Sequence, residues 1–324
     1  MWKRIRTITR YFFFFLIVLI GAGSAYQWFG VREDLKSYTP VGKLYDVMGR
    51  KMHLYTEGQG ETTVVFAAGW GTANAYVDFY PLYKGLSSQV KIAVYDRFGY
   101  GYSDSTGKER SIDAITDEMH ELFRISGQKP PYILVGHSLG SLEALRYAQR
   151  FPEEVSGIVL VEGGSPEYYA SRTPLTIIPY VERALLNIGV IRAFYQVDGF
   201  AESLASERNA LKLIPDKLKE MDRQSTLIKL ADKDMTAEIR QSRKNAKTVL
   251  AGNKPLTVPV TVLTADYFGK LSQDKAWMDN EAGLPSWSTA GKQLIVPGTS
   301  HYLHHYRPDV VVKEILALVP KQSE

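Results

Sequence analysis

Six short apolar runs, TTVVFAAG, VKIAVYD, YILVGH, SGIVLVEG, VPVTVLTA and KQLIVPG, recur through the chain after residue 60. They are rich in β-branched residues and do not alternate apolar with polar, the pattern of strands buried on both faces. Residues 113–125, 139–150 and 308–318 carry helical periodicity instead, the last opening on a proline. Strands that alternate with helices pack as a parallel sheet covered on both sides, so the expected fold class is α/β, mostly parallel and flanked by helices. Upstream, KLYDVM and RKMHLYTEG meet at Gly49-Arg50 and read as a hairpin, which makes eight strands. The rhythm stops between residues 163 and 257. Only amphipathic helical sequence is found there, such as PYVERALLNIGVIRAFY and AEIRQSRKNAKTVLAG. A connection this long with helices of its own predicts a helical cap inserted between strands six and seven.

The chain has no cysteine, so disulfides, thiolate metal sites and cysteine nucleophiles are excluded. Its formal net charge of +4 resides in Lys3, Arg4, Arg6 and Arg10, which leaves the remainder neutral and gives no sign of a nucleic-acid surface. Those cations precede a charge-free stretch, residues 11–29, that as a helix spans roughly 28 Å, close to the hydrocarbon thickness of a bilayer. Residues 1–30 are therefore expected to be a transmembrane anchor, with Tyr26, Trp28 and Phe29 in an interfacial belt, or a signal segment cleaved at GAGSA. Positive charge on the N-terminal side puts everything after residue 30 outside the cytoplasm, tethered as a single-pass protein or secreted. Residues 31–40 read as a polar linker, and the folded domain is expected over residues 41–324.

The third apolar run, the fifth strand in chain order, ends in Gly136-His137-Ser138-Leu139-Gly140. A Gly-X-Ser-X-Gly string arises by chance in roughly one chain in seven of this length. Its position is the informative part. It lies between a buried strand and a helix, where flanking glycines permit a sharp turn that lifts a serine hydroxyl clear of the backbone. A serine needs a base to take its proton, and of six histidines His301 is best placed, on the loop between the last strand and the last helix. His53 lies in the hairpin, His120 on a surface helix, and His137 points away from Ser138 if the turn is sharp. His301, His304 and His305 suggest a metal cluster, but no carboxylate or cysteine completes it locally.

Taken in order, FAAGWGTANAYVDF, YDRFGYGYSD, VGHSLGS, VLVEGGSPE and PGTSHYLHHYRPDVV resemble the α/β-hydrolase fold family over residues 41–319. The resemblance implies a nucleophile elbow at Ser138 and an oxyanion hole from the backbone N–H groups of Leu139 and Trp70. Removing such a donor commonly costs about 3 to 4 kcal/mol of transition-state stabilisation. Where family members often carry His-Gly before the oxyanion residue, this chain has Ala68-Gly69, which leaves Gly71 as an alternative donor. The acid that orients His301 has two candidates, Glu162 at the end of strand six and Asp266 after strand seven, with Glu162 preferred. Asp96 is expected to hold its own loop through Arg97.

The resulting expectation is a serine hydrolase that cleaves a carboxylic ester, esterase- or lipase-like, with no metal or organic cofactor. The expected partners are a small-molecule ester with an apolar acyl or alcohol part, and the membrane through the N-terminal segment. Acyl transfer or amide hydrolysis through the same acyl-enzyme is an alternative, as is a membrane-tethered binding protein without catalysis.

Overall fold

The computed structural model describes residues 2–252, 255–269 and 275–320. Eight strands form one sheet: β1 (Lys43–Val47), β2 (Arg50–Gly58), β3 (Thr63–Ala67), β4 (Lys91–Asp96), β5 (Tyr132–Ser138), β6 (Val155–Gly163), β7 (Val260–Ala265) and β8 (Gly291–Val296). Their spatial order is β1-β2-β4-β3-β5-β6-β7-β8. Only the pairings of β2 with β1 and with β4 are antiparallel. The hairpin turns at Met48-Gly49, with φ +52° and +80°, one residue earlier than the sequence suggested. Two consecutive left-handed residues match the twist of the strands they join.

The apolar runs became strands because both faces of the sheet are covered. Every residue of β3 and β7 is buried. On one face, Leu134, Ile158 and Val262 pack under the helices Ile112–Ser126 and Gly140–Arg150. On the other, Val64, Val135 and Val161 pack under Tyr80–Leu86 and Pro308–Leu316. Each such side chain contributes about 1.5 to 3 kcal/mol relative to exposure. Because parallel strands all end at the same edge, the loops after β3, β5, β6, β7 and β8 converge there.

A helical insertion separates β6 from β7, comprising Pro166–Ser171, Ile177–Asn187, Val190–Phe194, Phe200–Leu204, Asp216–Lys229 and Lys233–Ala251. Its last helix is part of the main body, since Ala246 and Val249 are fully buried in the same core as β5 and β6. At the other end of the chain, Trp2–Asp34 is a single helix of 33 residues, long and apolar enough to span a membrane or to serve as a signal sequence. It continues four residues into the segment expected as a linker because Asp34 is gripped by Arg192 and Arg223, at 2.7 and 2.8 Å.

One close approach sets how the helix after β5 meets the sheet. A Cβ on Gly140 would lie 2.4 Å from the carbonyl oxygen of Ala67 and 2.7 Å from that of Ala68, so only glycine allows the helix to start there. At Gly127, the left-handed C-cap of Ile112–Ser126, a Cβ would meet nothing within 4 Å. Gly140→Ala is therefore expected to lower the unfolding free energy by about 3 kcal/mol or more, against about 1 kcal/mol for Gly127→Ala. Urea denaturation of both variants measures the difference.

Candidate active site

β5 ends on Ser138 in a left-handed conformation, φ +50°, which costs a non-glycine residue of order 1 kcal/mol and persists only where packing enforces it. Leu139 follows at φ −59°, ψ −26° and caps the helix Gly140–Arg150, so its N–H belongs to the first, unsatisfied helical turn. His137, the preceding residue, is buried and faces the other way. Its Nε2 lies 3.1 Å from the carbonyl oxygen of His301. Burial, followed by the neighbouring His304 and His301, holds the His137 ring well below its usual range, so it is neutral and Nε2–H is the donor.

His301 Nε2 lies 3.0 Å from Ser138 Oγ, and its Nδ1 lies 3.3 Å from Glu162 Oε2. Glu162 is fully buried and, like Ser138, adopts a left-handed backbone, φ +46°, at the tip of its strand. The β5–β6 register jumps there, with His137 opposite Val161 and Ser138 opposite Gly163. Three donors from elsewhere fix its carboxylate: Ala265 N–H to Oε1 at 2.5 Å, with Tyr267 Oη–H at 2.5 Å and Trp277 Nε1–H at 3.2 Å to Oε2. Asp266 is directed elsewhere. Its Oδ1 accepts from the N–H groups of Phe268, Gly298 and Thr299, which ties the tip of β7 to the loop leading to His301. Of the two candidate acids, the structure brings Glu162 and not Asp266 to the imidazole. A further carboxyl, Glu281, is fully buried beside Glu162. Burial, then the Glu162 charge, raises it well above the ordinary range, which favours its neutral form beside Glu162.

The oxyanion-type loop after β3 is held by a buried guanidinium. Arg97 donates from Nη1 to the Ala68 carbonyl at 2.7 Å and from Nη2 to the Gly69 carbonyl at 2.9 Å. Its charge is balanced by Glu143 and by Glu238, the latter 3.3 Å from Nε. Because a trans peptide points C=O and N–H in opposite directions, pinning the Gly69 carbonyl turns the Trp70 N–H away from Arg97. Gly69 also lies against the nucleophile elbow, where a Cβ would approach Ser138 Cβ to 3.2 Å. The Trp70 indole donates to the Met235 carbonyl at 2.9 Å. Arg97 thus supports the loop at Ala68 and Gly69. The expectation that Asp96 works through Arg97 is corrected: Asp96 accepts from Ala75 N–H and Tyr102 N–H, and its Oδ2 lies 2.8 Å from His53 Nδ1. Arg97 is paired instead with Glu143 and Glu238, which compensate its buried charge.

His120 is on the surface, 3.0 Å from Glu154. His304 and His305 do not join His301. Their Nε2 atoms each lie 3.2 Å from one oxygen of Asp78, a fully buried carboxylate more than 200 residues earlier in the chain. The three donors lie within 4.8 Å of one another, as metal ligands would. Both carboxylate oxygens are nonetheless engaged by the rings, and Arg208 Nε already supplies a positive charge 3.4 Å from Asp78. Burial alone would raise Asp78, but His304, His305 and Arg208 outweigh it and hold it well below the carboxylate range. Burial pushes His305 down to about 4, so its ring is neutral. The group reads as a strap on the His301 loop, and Asn209 of the insertion reinforces it with a 2.9 Å bond to the His305 carbonyl.

Sequence reasoning missed Tyr267, Trp277 and Glu281 around Glu162, and also Tyr169, whose side chain reaches Ser138 from the first helix of the insertion. Tyr267 stands where the family's acid often does, which was the available signal. A cleft of about 450 Å³ lies beside Asp78 and Arg208, lined further by Gly71, Tyr195, Leu211 and Tyr302; Ser138 and His301 do not line it.

Residues 62–187 match the family described as the alpha/beta hydrolase fold. The uncharacterized protein YbdG of Bacillus subtilis is 31% identical over 299 residues, which covers 89% of this chain and 88% of that protein. A pimeloyl-[acyl-carrier protein] methyl ester esterase of Shewanella woodyi is 31% identical over 170 residues, 49% of this chain and 61% of the relative. Among solved structures, the enol-lactonase of Burkholderia xenovorans superposes with a TM-score of 0.60 at 18% identity over 85% of this chain and 99% of its own, a likeness of fold. With a sheet order, an elbow and a serine–histidine–carboxylate array that agree with these matches, the chain belongs to the alpha/beta hydrolase fold family.

Proposed function

We propose that this hydrolase cleaves a carboxylic ester through an acyl-enzyme on Ser138. The observation that carries the reading is the continuous chain from Ser138 Oγ through His301 to the buried Glu162 carboxylate, at 3.0 and 3.3 Å. Ser138 Oγ attacks the ester carbonyl while His301 Nε2 takes its proton, and the charge that develops on the imidazole is balanced by Glu162. The carbonyl electrons move onto oxygen, where the N–H groups of Leu139 and Trp70 stabilise them. Collapse of the tetrahedral intermediate expels the alcohol, which takes the proton from His301. Water then repeats the sequence against the acyl group, releasing the acid and freeing Ser138. The N-terminal helix acts as a retained anchor that holds the catalytic domain on the extracytoplasmic side, a reading supported by its charge-free length and the cations before it.

A fluorophosphonate is expected to label the wild-type chain and not Ser138→Ala. A folded wild type that resists labelling overturns the serine-hydrolase reading. In the steady state, Glu162→Gln should lower kcat by up to about 10⁴-fold, whereas Asp266→Asn should act mainly on thermal stability. Glu281→Gln keeps the shape and zero charge of the neutral form, so kcat should stay within a factor of about three. N-terminal sequencing of the mature protein checks the anchor, and a start near Ala25 would contradict it.

A further inference from the structure

The N-terminal helix carries more information than its hydropathy. Residues 2–15 are exposed, but from Gly23 onward the helix is seated on the helical insertion through one face. Positions 23, 27, 30 and 34, spaced four, three and four apart, fall on one side of a helix. A Cβ on Gly23 would lie 2.2 Å from the Ile188 carbonyl oxygen, so that backbone contact needs glycine, and Gly30 lets the Arg192 side chain pass close, 2.4 Å from where a Cβ would stand to Nε. Between them Gln27 and Asp34, both buried, accept from Arg192 at 2.8 and 2.7 Å, and Gln27 donates to the Leu227 carbonyl at 2.9 Å.

The first of these contacts falls inside the charge-free stretch. Gly23 precedes Phe29, the last residue of that stretch, by about 9 Å of helix rise. Any bilayer that accommodates residues 11–29 therefore brings the Ile188 turn to the depth at which interfacial helices bury their apolar faces, about 5 to 10 Å. The helix that leads into this turn, Ile177–Asn187, has the surface such a depth requires. Ile177, Val181 and Ala184 are exposed and lie in register with Ile188, and Leu175, Ile178 and Tyr180 flank them. Leu175 and Ile177 are 70% and 65% exposed, high for large apolar side chains on a face that meets only water.

We propose that the apolar face of the insertion, centred on Ile177, Ile178 and Val181, docks into the headgroup–acyl boundary of the bilayer that the N-terminal helix crosses, and that the Gly23–Ile188 seat sets its depth. The proposal rests on the helix being retained as an anchor and is independent of the reaction at Ser138. It adds a second membrane contact, made by the domain itself.

The absence of native cysteine allows the test on the full-length chain. Single cysteines replace Ile177, Val181, Leu19 in the helix and Lys51 in the exposed hairpin, each labelled with an environment-sensitive fluorophore in phosphatidylcholine nanodiscs with or without doxyl-labelled phosphatidylcholine. Labels at positions 177 and 181 should lose about half of their emission to the doxyl lipid, as the label at 19 does, while that at 51 is unaffected. Quenching at 19 without quenching at 177 and 181 overturns the docking while the anchor stands. A label at 181 that is shielded yet insensitive to doxyl lipid assigns the face to a second protein copy and overturns the lipid proposal. No quenching at 19 removes the anchor and the proposal together. Gly23→Leu keeps the helix apolar but fills the seat. It should reduce quenching at 181 and leave that at 19 unchanged, and unchanged quenching at both positions overturns the role of the seat.

Discussion

The position of the Gly140–Arg150 helix against the end of β3 is the constraint on which the site depends. Its first residue lies so close to the Ala67 and Ala68 carbonyls that no side chain fits between them. The chain must therefore reverse within two residues of leaving β5, and Ser138 takes the left-handed backbone that the reversal demands. The same contact brings the loop after β3 beside Ser138, so that the elbow and this loop form a single packed unit. Strain at one residue is sustained by many ordinary contacts around it.

Buried charge organises the surroundings in two separate groups. Arg97 reaches up from the end of β4 to grip two carbonyls of the oxyanion-type loop, with Glu143 and Glu238 as its counterions. Burial pushes the Glu143 carboxyl up despite the Arg97 charge. Asp78 gathers His304, His305 and Arg208 on the other flank, behind the histidine loop. Breaking any of these pairs leaves an uncompensated charge out of water, a large penalty, so the loops they hold have few alternative arrangements.

Much of this was legible in the sequence, and for definite reasons. Strands buried on both faces leave an unbroken apolar signature, so all six runs and the insertion that interrupts them could be read directly. Ser138 and His301 could be singled out as candidates because both lie at fixed offsets from strand ends, and the structure brings them to 3.0 Å. The acid stayed open because Glu162 and Asp266 end neighbouring strands at the same edge, and only the positions of Tyr267, Trp277 and Ala265 decide which carboxylate turns toward the ring. The Asp78 strap and the partners of Arg97 join residues far apart in the chain, a kind of information that no local pattern holds. The seat of the N-terminal helix was hidden likewise, since Gly23 and Gly30 read as ordinary glycines until Ile188 and Arg192 are placed against them.

An acid on β6 has a kinematic consequence. Ser138 and Glu162 end adjacent hydrogen-bonded strands in the middle of the sheet, so their separation is as stiff as the sheet itself. His301 rides on a loop, and all the relative motion in the array falls to that one member. The loop is fastened to β5 by His137, to β7 by Asp266, to the buried Asp78 through His304 and His305, and to the insertion by Asn209. A displacement of the insertion therefore bears on the imidazole through Asn209 and on the elbow through Tyr169, while the two strand ends keep their separation.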